Sequence, residues 1–285
     1  MLFWIRAVSP YNQGVTAFVE DVRTMANPFR RRLVGGLLQA LAIVAGIGVG
    51  WPGATDADTI DHARRYADCM ALARRNPEEA FETATAWAGL GGGDAAQHCA
   101  AAALMGLKLY ADAAARFESV AQHTKGEATL KAELLAQAAQ AWLLNNSPER
   151  AHDVLTAALK LRPDEPELLI DRGTARAALK LYGEVIEDLT RAIALDPSRA
   201  DAFAFRASAY RHLDQFGPAA ADADRALALD PTHAAALLER GIIRRLTGDD
   251  AGARQDWLQV LRAAPETPAA DAAAANLEKM DVKTK

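Results

Sequence analysis

Aromatic side chains, cysteine and clustered positive charge are all scarce in this chain. Phe, Trp and Tyr together supply 6% of the 285 residues, while hydrophobic residues as a whole supply 51%. Much of that apolar share is alanine. Strands favour β-branched and aromatic residues, whereas small apolar side chains suit closely packed helices, so the composition points away from a β architecture. The net charge is −5 with a pI near 5.7. Nucleic-acid binding rewards clustered Lys and Arg, and this balance argues against it. Cys69 and Cys99, the only cysteines, stand 30 positions apart and make no C-x-x-C pair. No G-x-S-x-G, H-E-x-x-H or P-loop signature occurs. "GLGGGD" at 89–94 falls between two helical stretches rather than after a strand, which makes it an interhelix loop and not a nucleotide cradle. The histidines, His62, His98, His123, His152, His212 and His233, are scattered, with no pair at metal-ligand spacing on one helix. Asp249 and Asp250 read as helix-start residues, where negative charge meets the positive end of the helix dipole. These absences predict no catalytic residue, no cofactor and no metal.

The N-terminal part reads as a targeting segment. Arg30, Arg31 and Arg32 precede "LVGGLLQALAIVAGIGVGWPGAT", and no charged residue occurs between Arg32 and Asp56. A basic stub before an apolar run is what secretory machinery recognises. Met25 opens a signal of ordinary length, and the expected start of translation is Met25. Ala54 and Ala57 are candidate ends of a cleavage site, though neither completes a clean A-x-A. The run over 33–55 is also long enough for a membrane tether, which takes roughly 20 residues. Cleavage, a retained anchor and a buried soluble helix therefore all stay open. In the first two cases the arginines remain cytoplasmic and the chain from about residue 57 is exported, either into a bacterial periplasm or facing it from the membrane.

What dominates the remainder is a period of 34 residues. Pro163, Pro197, Pro231 and Pro265 keep it. So do the large apolar set Leu135, Leu169, Phe203 and Leu237, and the small set Ala139, Gly173, Ala207 and Gly241. Ala151, Val185, Ala219 and Ala253 form a further column, as do Ala158, Ala192, Ala226 and Val260. Leu159, Ile193, Leu227 and Leu261 form another. Within each period the apolar spacing is helical. "NNSPER" at 145–150 offers Ser147 as an N-cap with Pro148 at the first helical position, and "DPSRAD" and "DPTHAA" are expected to do the same with Ser198 and Thr232. Pro lacks an N–H and disfavours helix in the residue before it, so the Pro column marks where each second helix has ended.

These columns resemble the tetratricopeptide repeat (TPR) family, a 34-residue helix-turn-helix unit with small residues at fixed places and a closing Pro. The resemblance covers 132–265 strongly. It implies an all-α solenoid, a right-handed superhelix whose concave face is lined by first helices. Departures occur. The aromatic expected late in the first helix appears only as Trp142 and Tyr210, with Arg176 and Arg244 elsewhere. The large residue of the second helix is Leu155, Leu189 and Trp257 but Ala223 in the third repeat, which should pack less well there. Two weaker repeats lie upstream, with second helices beginning at "NPEEAF" (Asn76 as cap) and "YADAAARF". Extra residues around 123–131 predict a lengthened helix or a joint. The expected layout is an extension over 1–56, two divergent repeats over 57–125, and four repeats over 126–281 whose last helix, capped by Thr267, closes the stack as solenoid ends require.

Cys69 and Cys99 fall in the first helices of neighbouring repeats, which pack side by side in such a stack. A disulfide suits that geometry and an exported chain. Two buried thiols, or a redox or metal role, are the other readings. Arg172, Arg206 and Arg240 form a column, each followed 16 residues later by Asp188, Asp222 and Asp256. Across an antiparallel helix pair this spacing predicts three partly buried Arg–Asp contacts that fix helix register. The other reading is an arginine row for an anionic partner. The resemblance places Ile170, Thr174, Ala177, Ala178, Ala204, Ser208, Arg211, His212, Leu238, Ile242 and Arg245 on the concave face. The partner-binding candidates are Thr174, Ala178, Ser208, Arg211, His212, Ile242 and Arg245. The expected role is a non-enzymatic protein–protein interaction scaffold or adaptor of the cell envelope that holds a protein or peptide. The alternative is an envelope assembly factor or chaperone for exported clients.

Overall fold

The computed structural model describes residues 62–282. The extension over 1–56, with the targeting run, lies outside the described residues. Within them the chain is helical throughout and divides into two compact units, one ending at Lys125 and the other beginning at Gly126. No described helix is long and apolar enough to cross a membrane.

The N-terminal unit holds two helix pairs: α1 (His62–Arg75) with α2 (Pro77–Trp87), and α3 (Gly93–Gly106) with α4 (Tyr110–His123). Asn76 caps α2 by accepting from the Glu79 N–H, with Pro77 at the first helical position. Ala88–Gly92 joins α2 to α3 across a kink, with non-helical backbone at Leu90 and at Gly91 (φ 88°), so "GLGGGD" forms a tight interhelix connection. Most of the buried apolar residues here are alanines, with Trp87, Leu104 and Phe117 as the bulky exceptions. α1 packs directly on α3. Cys69 and Cys99 are joined by a disulfide across that contact, with Cα atoms 6.2 Å apart.

The C-terminal unit holds four helix pairs, here called repeats A to D. They are α5 (Ala128–Leu144) with α6 (Pro148–Leu161), α7 (Pro166–Ala178) with α8 (Tyr182–Leu195), α9 (Ala200–His212) with α10 (Phe216–Leu229), and α11 (Ala234–Leu246) with α12 (Asp250–Ala263). A last helix, α13 (Pro268–Val282), packs on α11 and α12, with the Thr267 hydroxyl accepting from the Ala270 N–H. The insertion around 123–131 becomes both a short connection and a longer helix, since α5 runs 17 residues against 13 for α7, α9 and α11.

The turns repeat as faithfully as the helices. Each second helix of this unit ends in a residue that has left the helical region, Arg162, Asp196, Asp230 or Ala264, with φ between −140° and −135° and ψ between 60° and 100°, directly before the column proline. That is the conformation a following Pro imposes. The first helices end differently. Asn146, Lys180, Asp214 and Gly248 all adopt positive φ, between 56° and 95°, and recur every 34 residues. The N–H after each returns to a carbonyl five residues back (Ser147 to Trp142, Leu181 to Arg176, Gln215 to Tyr210, Asp249 to Arg244) at 2.8–2.9 Å. This closes the helix as a Schellman turn.

Two expectations are corrected here. Ser198 and Thr232 are not N-caps, and Pro197 and Pro231 do not open helices. The Asp196 carboxylate accepts from both the N–H and the hydroxyl of Ser198, at 3.0 and 2.6 Å, and Asp230 does the same for Thr232 at 2.9 and 2.8 Å. A charged acceptor two residues upstream captures the hydroxyl, and the helices begin later, after Arg199 and His233. Nor is repeat C open at Ala223. That residue is fully buried in a cluster with Ala207, Ala219 and Ile243, against which Tyr210 and Phe216 pack. Small faces small there, and the aromatics fill the remaining volume.

Candidate functional site

Adjacent first helices touch directly: α5 with α7, α7 with α9, α9 with α11. Their shared surface is the candidate site, and the direct contact decides which residues remain available on it. Ile170, Thr174, Ala177, Ala204, Ser208, Arg211 and Leu238 are buried. Thr174 donates its hydroxyl to the Ile170 carbonyl at 3.2 Å. Of the expected lining, only Ala178, His212, Ile242 and Arg245 keep part of their surface, and Arg245 is engaged by Asp250. Arg211 is occupied within the fold. Its Nε and Nη2 donate to the two carboxylate oxygens of Glu239 at 2.6 and 3.1 Å, tying α9 to α11. His212 stacks on Tyr182 with ring centroids 4.3 Å apart and 4° between planes. Burial, and then the neighbouring Arg211 guanidinium, lower its pKa to about 4, so it is neutral at physiological pH.

The Arg–Asp column is assembled as two-pronged pairs. Arg172, Arg206 and Arg240 each place Nε and Nη2 on both oxygens of Asp188, Asp222 and Asp256, at 2.7–3.0 Å. The third nitrogen of each reaches back one repeat, to Thr156, Thr190 and Asp224 respectively. Each arginine therefore joins its own helix pair to the pair before it. The departures at Arg176 and Arg244 join the same network, donating to Asp188 and Asp256 at 2.8 Å. In repeat C, where Tyr210 holds that place, the Arg206 guanidinium lies 5.8 Å from its ring centroid. With all three guanidinium nitrogens turned onto the protein, the column arginines serve the stack.

The first-helix surface also leaves a set of carboxylates partly exposed. Glu133, Glu167 and Asp201 occupy one register of α5, α7 and α9 at the 34-residue step. The signal that marks this column is the same period that marks the prolines, although the expected lining contains none of its members. Glu165 and Asp171 add two more carboxylates on or beside α7. Arg199 is held by Asp201 through two bonds at 3.0 and 2.7 Å and donates to Glu167 at 2.7 Å. Arg162 pairs with Glu165. Among the described residues, no hydrogen-bond donor is paired with Asp171. Its pKa is pushed up to about 7, first by loss of water; Arg199 opposes this, while Glu167 and Asp201 add to it. Glu165 is also raised to about 7, chiefly because it shares a hydrogen bond with Glu167, which requires a proton on one of the two. Among the described residues, no group of three or more His, Cys, Asp or Glu is arranged to hold a metal ion.

No protein-family model matches the chain, and no curated protein matches it. Solved structures do. TTC0263, described as a thermophilic TPR protein in Thermus thermophilus, superposes with a TM-score of 0.53 at 19% identity, over 65% of this chain and 99% of its own. A crystal structure of MamA protein gives 0.51 at 17% identity, over 61% of this chain and 92% of that one. The fold is TPR-like. A second MamA structure agrees, at 0.50 and 18% identity over 57% of this chain. At these identities the likeness speaks for the backbone arrangement of the TPR-like stack, and its surface chemistry must be read from this chain's own residues.

Proposed function

We propose that this protein is a non-enzymatic interaction scaffold or adaptor of the cell envelope, which holds a protein or peptide on the surface formed by its first helices. One observation carries the reading. The recurrent chemistry of the repeat columns is spent inside the stack, on helix approach and Arg–Asp pairing. On the first-helix surface the partly open Ala178, His212 and Ile242 have unlike residues at the same place in the other repeats, as a recognition surface would, beside the recurring Glu133, Glu167 and Asp201. The Cys69–Cys99 disulfide supports an oxidising compartment, and the basic-then-apolar run over 30–55 supports export. An assembly factor or chaperone for exposed apolar clients is less well supported, because Ile170, Ala204 and Leu238 are buried between helices rather than spread as an apolar groove.

Photo-crosslinking in living cells tests this. A photoreactive amino acid placed at Ala178 or Ile242 should capture one exported protein as a defined adduct. The same probe at Leu258, an exposed residue on a second helix, should not. Equal capture at both places, or adducts only with cytoplasmic proteins, would count against the proposal.

A further inference from the structure

We propose that a cleft between α6, α7 and α8 receives one aromatic side chain of a partner protein, with an acidic residue next to it in the partner's sequence. Ala178, His212, Ile242 and Arg245 take no part in this cleft, so the contact is separate from the one on the first helices.

Repeat C shows what fits such a place. Phe203 on α9 is buried, and its ring lies against two guanidiniums, with Arg206 5.7 Å and Arg225 5.9 Å from the ring centroid. A cation over an aromatic face at about 6 Å or less is attracted by the ring quadrupole. One period earlier both arginines recur, as Arg172 and Arg191, but Leu169 stands in place of the aromatic. There the structure holds a cleft of about 200 Å³ lined by these three residues, with Leu159 and Pro163 as further apolar wall. Arg172 spends its nitrogens on Asp188 and Thr156. Arg206 is bonded in the same way and still lies over Phe203, so those bonds leave the guanidinium face to a ring. One period after repeat C the arginine pair is broken, because Gln259 replaces the second member and donates to the Pro231 carbonyl.

Size and charge narrow the occupant. Sites for free small ligands run to about 300–1,000 Å³, whereas a cleft of about 200 Å³ suits a single side chain of a larger partner. The lining includes Lys160, Arg172 and Arg191 and no carboxylate. Arg191 pairs with Asp164, but the two side chains are 50% and 68% exposed, and a pair so placed holds weakly. Lys160 is exposed and has no acidic partner among the described residues. Alanine takes its place one and two periods later, at Ala194 and Ala228. An acidic residue entering beside the ring thus meets Lys160 unopposed and competes with Asp164 for Arg191, while a basic one is repelled by both cations.

Photolabelling of the whole protein tests this with two tetrapeptides, Gly-X-Asp-Gly and Gly-X-Lys-Gly, in which X is p-azidophenylalanine. The Asp peptide should place its adduct on the segments that line the cleft, 156–172 and the turn of α8 at Arg191. It should label them about three- to fivefold more than the Lys peptide does, a preference that salt erodes. K160E, a change on an exposed residue, should remove the preference. L169F supplies the ring that repeat C has at this place and should abolish the adduct. Where L169F does not fold, the response to K160E carries the test. Adducts scattered outside the cleft, or folded L169F labelled as well as the native protein, would overturn the site. An Asp-over-Lys preference that is absent, or that K160E leaves unchanged, would overturn the acidic neighbour. Crosslinks from Ala178 and Ile242 are read separately, so failure here leaves the first-helix surface standing.

Discussion

Trp257 on α12 packs flat against Gly241 on α11, so closely that a Cβ on residue 241 would stand 2.7 Å from Cδ1 and 2.9 Å from Cε2 of the indole. The indole N–H is also fixed, donating to the Leu238 carbonyl at 3.3 Å. In repeat B the equivalent Gly173 would place a Cβ 3.4 Å from Leu189, an ordinary contact. The same column position is therefore obligatory glycine in one repeat and replaceable in another. G241A should cost about 1–3 kcal/mol by overpacking. G173A should be neutral or stabilise by up to about 1 kcal/mol through helix propensity. In a W257L background the G241A penalty should vanish. Urea denaturation of the native protein, G173A, G241A, W257L and W257L/G241A gives the comparison, and an unchanged penalty in W257L would refute the packing account.

Arg206 should behave as a staple between repeats. R206A leaves the buried Asp222 without its two-pronged partner, a loss of about 3–5 kcal/mol. T190V removes only the exposed link to the preceding repeat and should cost under about 1 kcal/mol. Thermal melts would resolve this difference. Equal effects would mean that the two contacts are not ranked by burial.

The disulfide should matter most to the N-terminal unit, whose alanine-rich core buries little area per side chain. Closing a loop of 30 residues adds about 3–4 kcal/mol on the chain-entropy model. Reduction, or C69A/C99A, should lower amide exchange protection in α1–α4 and leave α7–α12 protected. Loss confined to α1 alone would show that the bridge only anchors one helix.

Lys180 carries a φ of 61° in an exposed turn, where glycine would sit without steric cost. K180G should stabilise the C-terminal unit by about 1 kcal/mol. The equivalent Gly248 provides the reverse test, since G248K should destabilise by a similar amount. Denaturation midpoints for the pair would detect both shifts, and a destabilising K180G would show that the lysine makes a contact worth more than its strain.

Asp171 predicts a pH signature. Its folded-state pKa of about 7 lies above the ordinary carboxylate value, so its ionisation opposes folding. The penalty is absent at low pH and grows as pH rises from about 4 to about 7. D171N removes it. The gain in Tm of D171N over the native sequence should therefore be larger at pH 8 than at pH 5. Comparing the difference rather than the absolute melt cancels His212, whose lowered pKa acts in the opposite sense, destabilising as pH falls from about 6.5 to about 4. A gain that does not vary with pH would place Asp171 in water.

The period of 34 made the helix pairs legible because each column does one local job. The prolines end helices through their own ring geometry, and the small residues set helix approach. The 16-residue step from Arg to Asp was readable too, since an antiparallel pair returns the chain on itself over that distance. Other features were hidden by competition between neighbours. Ser198 and Thr232 are good caps in isolation, but Asp196 and Asp230 hold the same hydroxyls with a full charge. In the positive-φ column Asn146, Asp214 and Gly248 are types that tolerate the left-handed region, but Lys180 is not, so composition signals the column only in part and backbone geometry completes it.

The amino-acid sequence by itself determined the repeat, the ends of its helices and the residues able to lie against one another, because those follow from local backbone preference and side-chain volume. Only the tertiary structure decided which polar groups the stack consumes and which it leaves without a donor. Arg211 is one reach across α9 and α11 from Glu239, while Asp171 has no such donor within reach among the described residues. That outcome depends on distances between separate helices, and no spacing along a single chain encodes it.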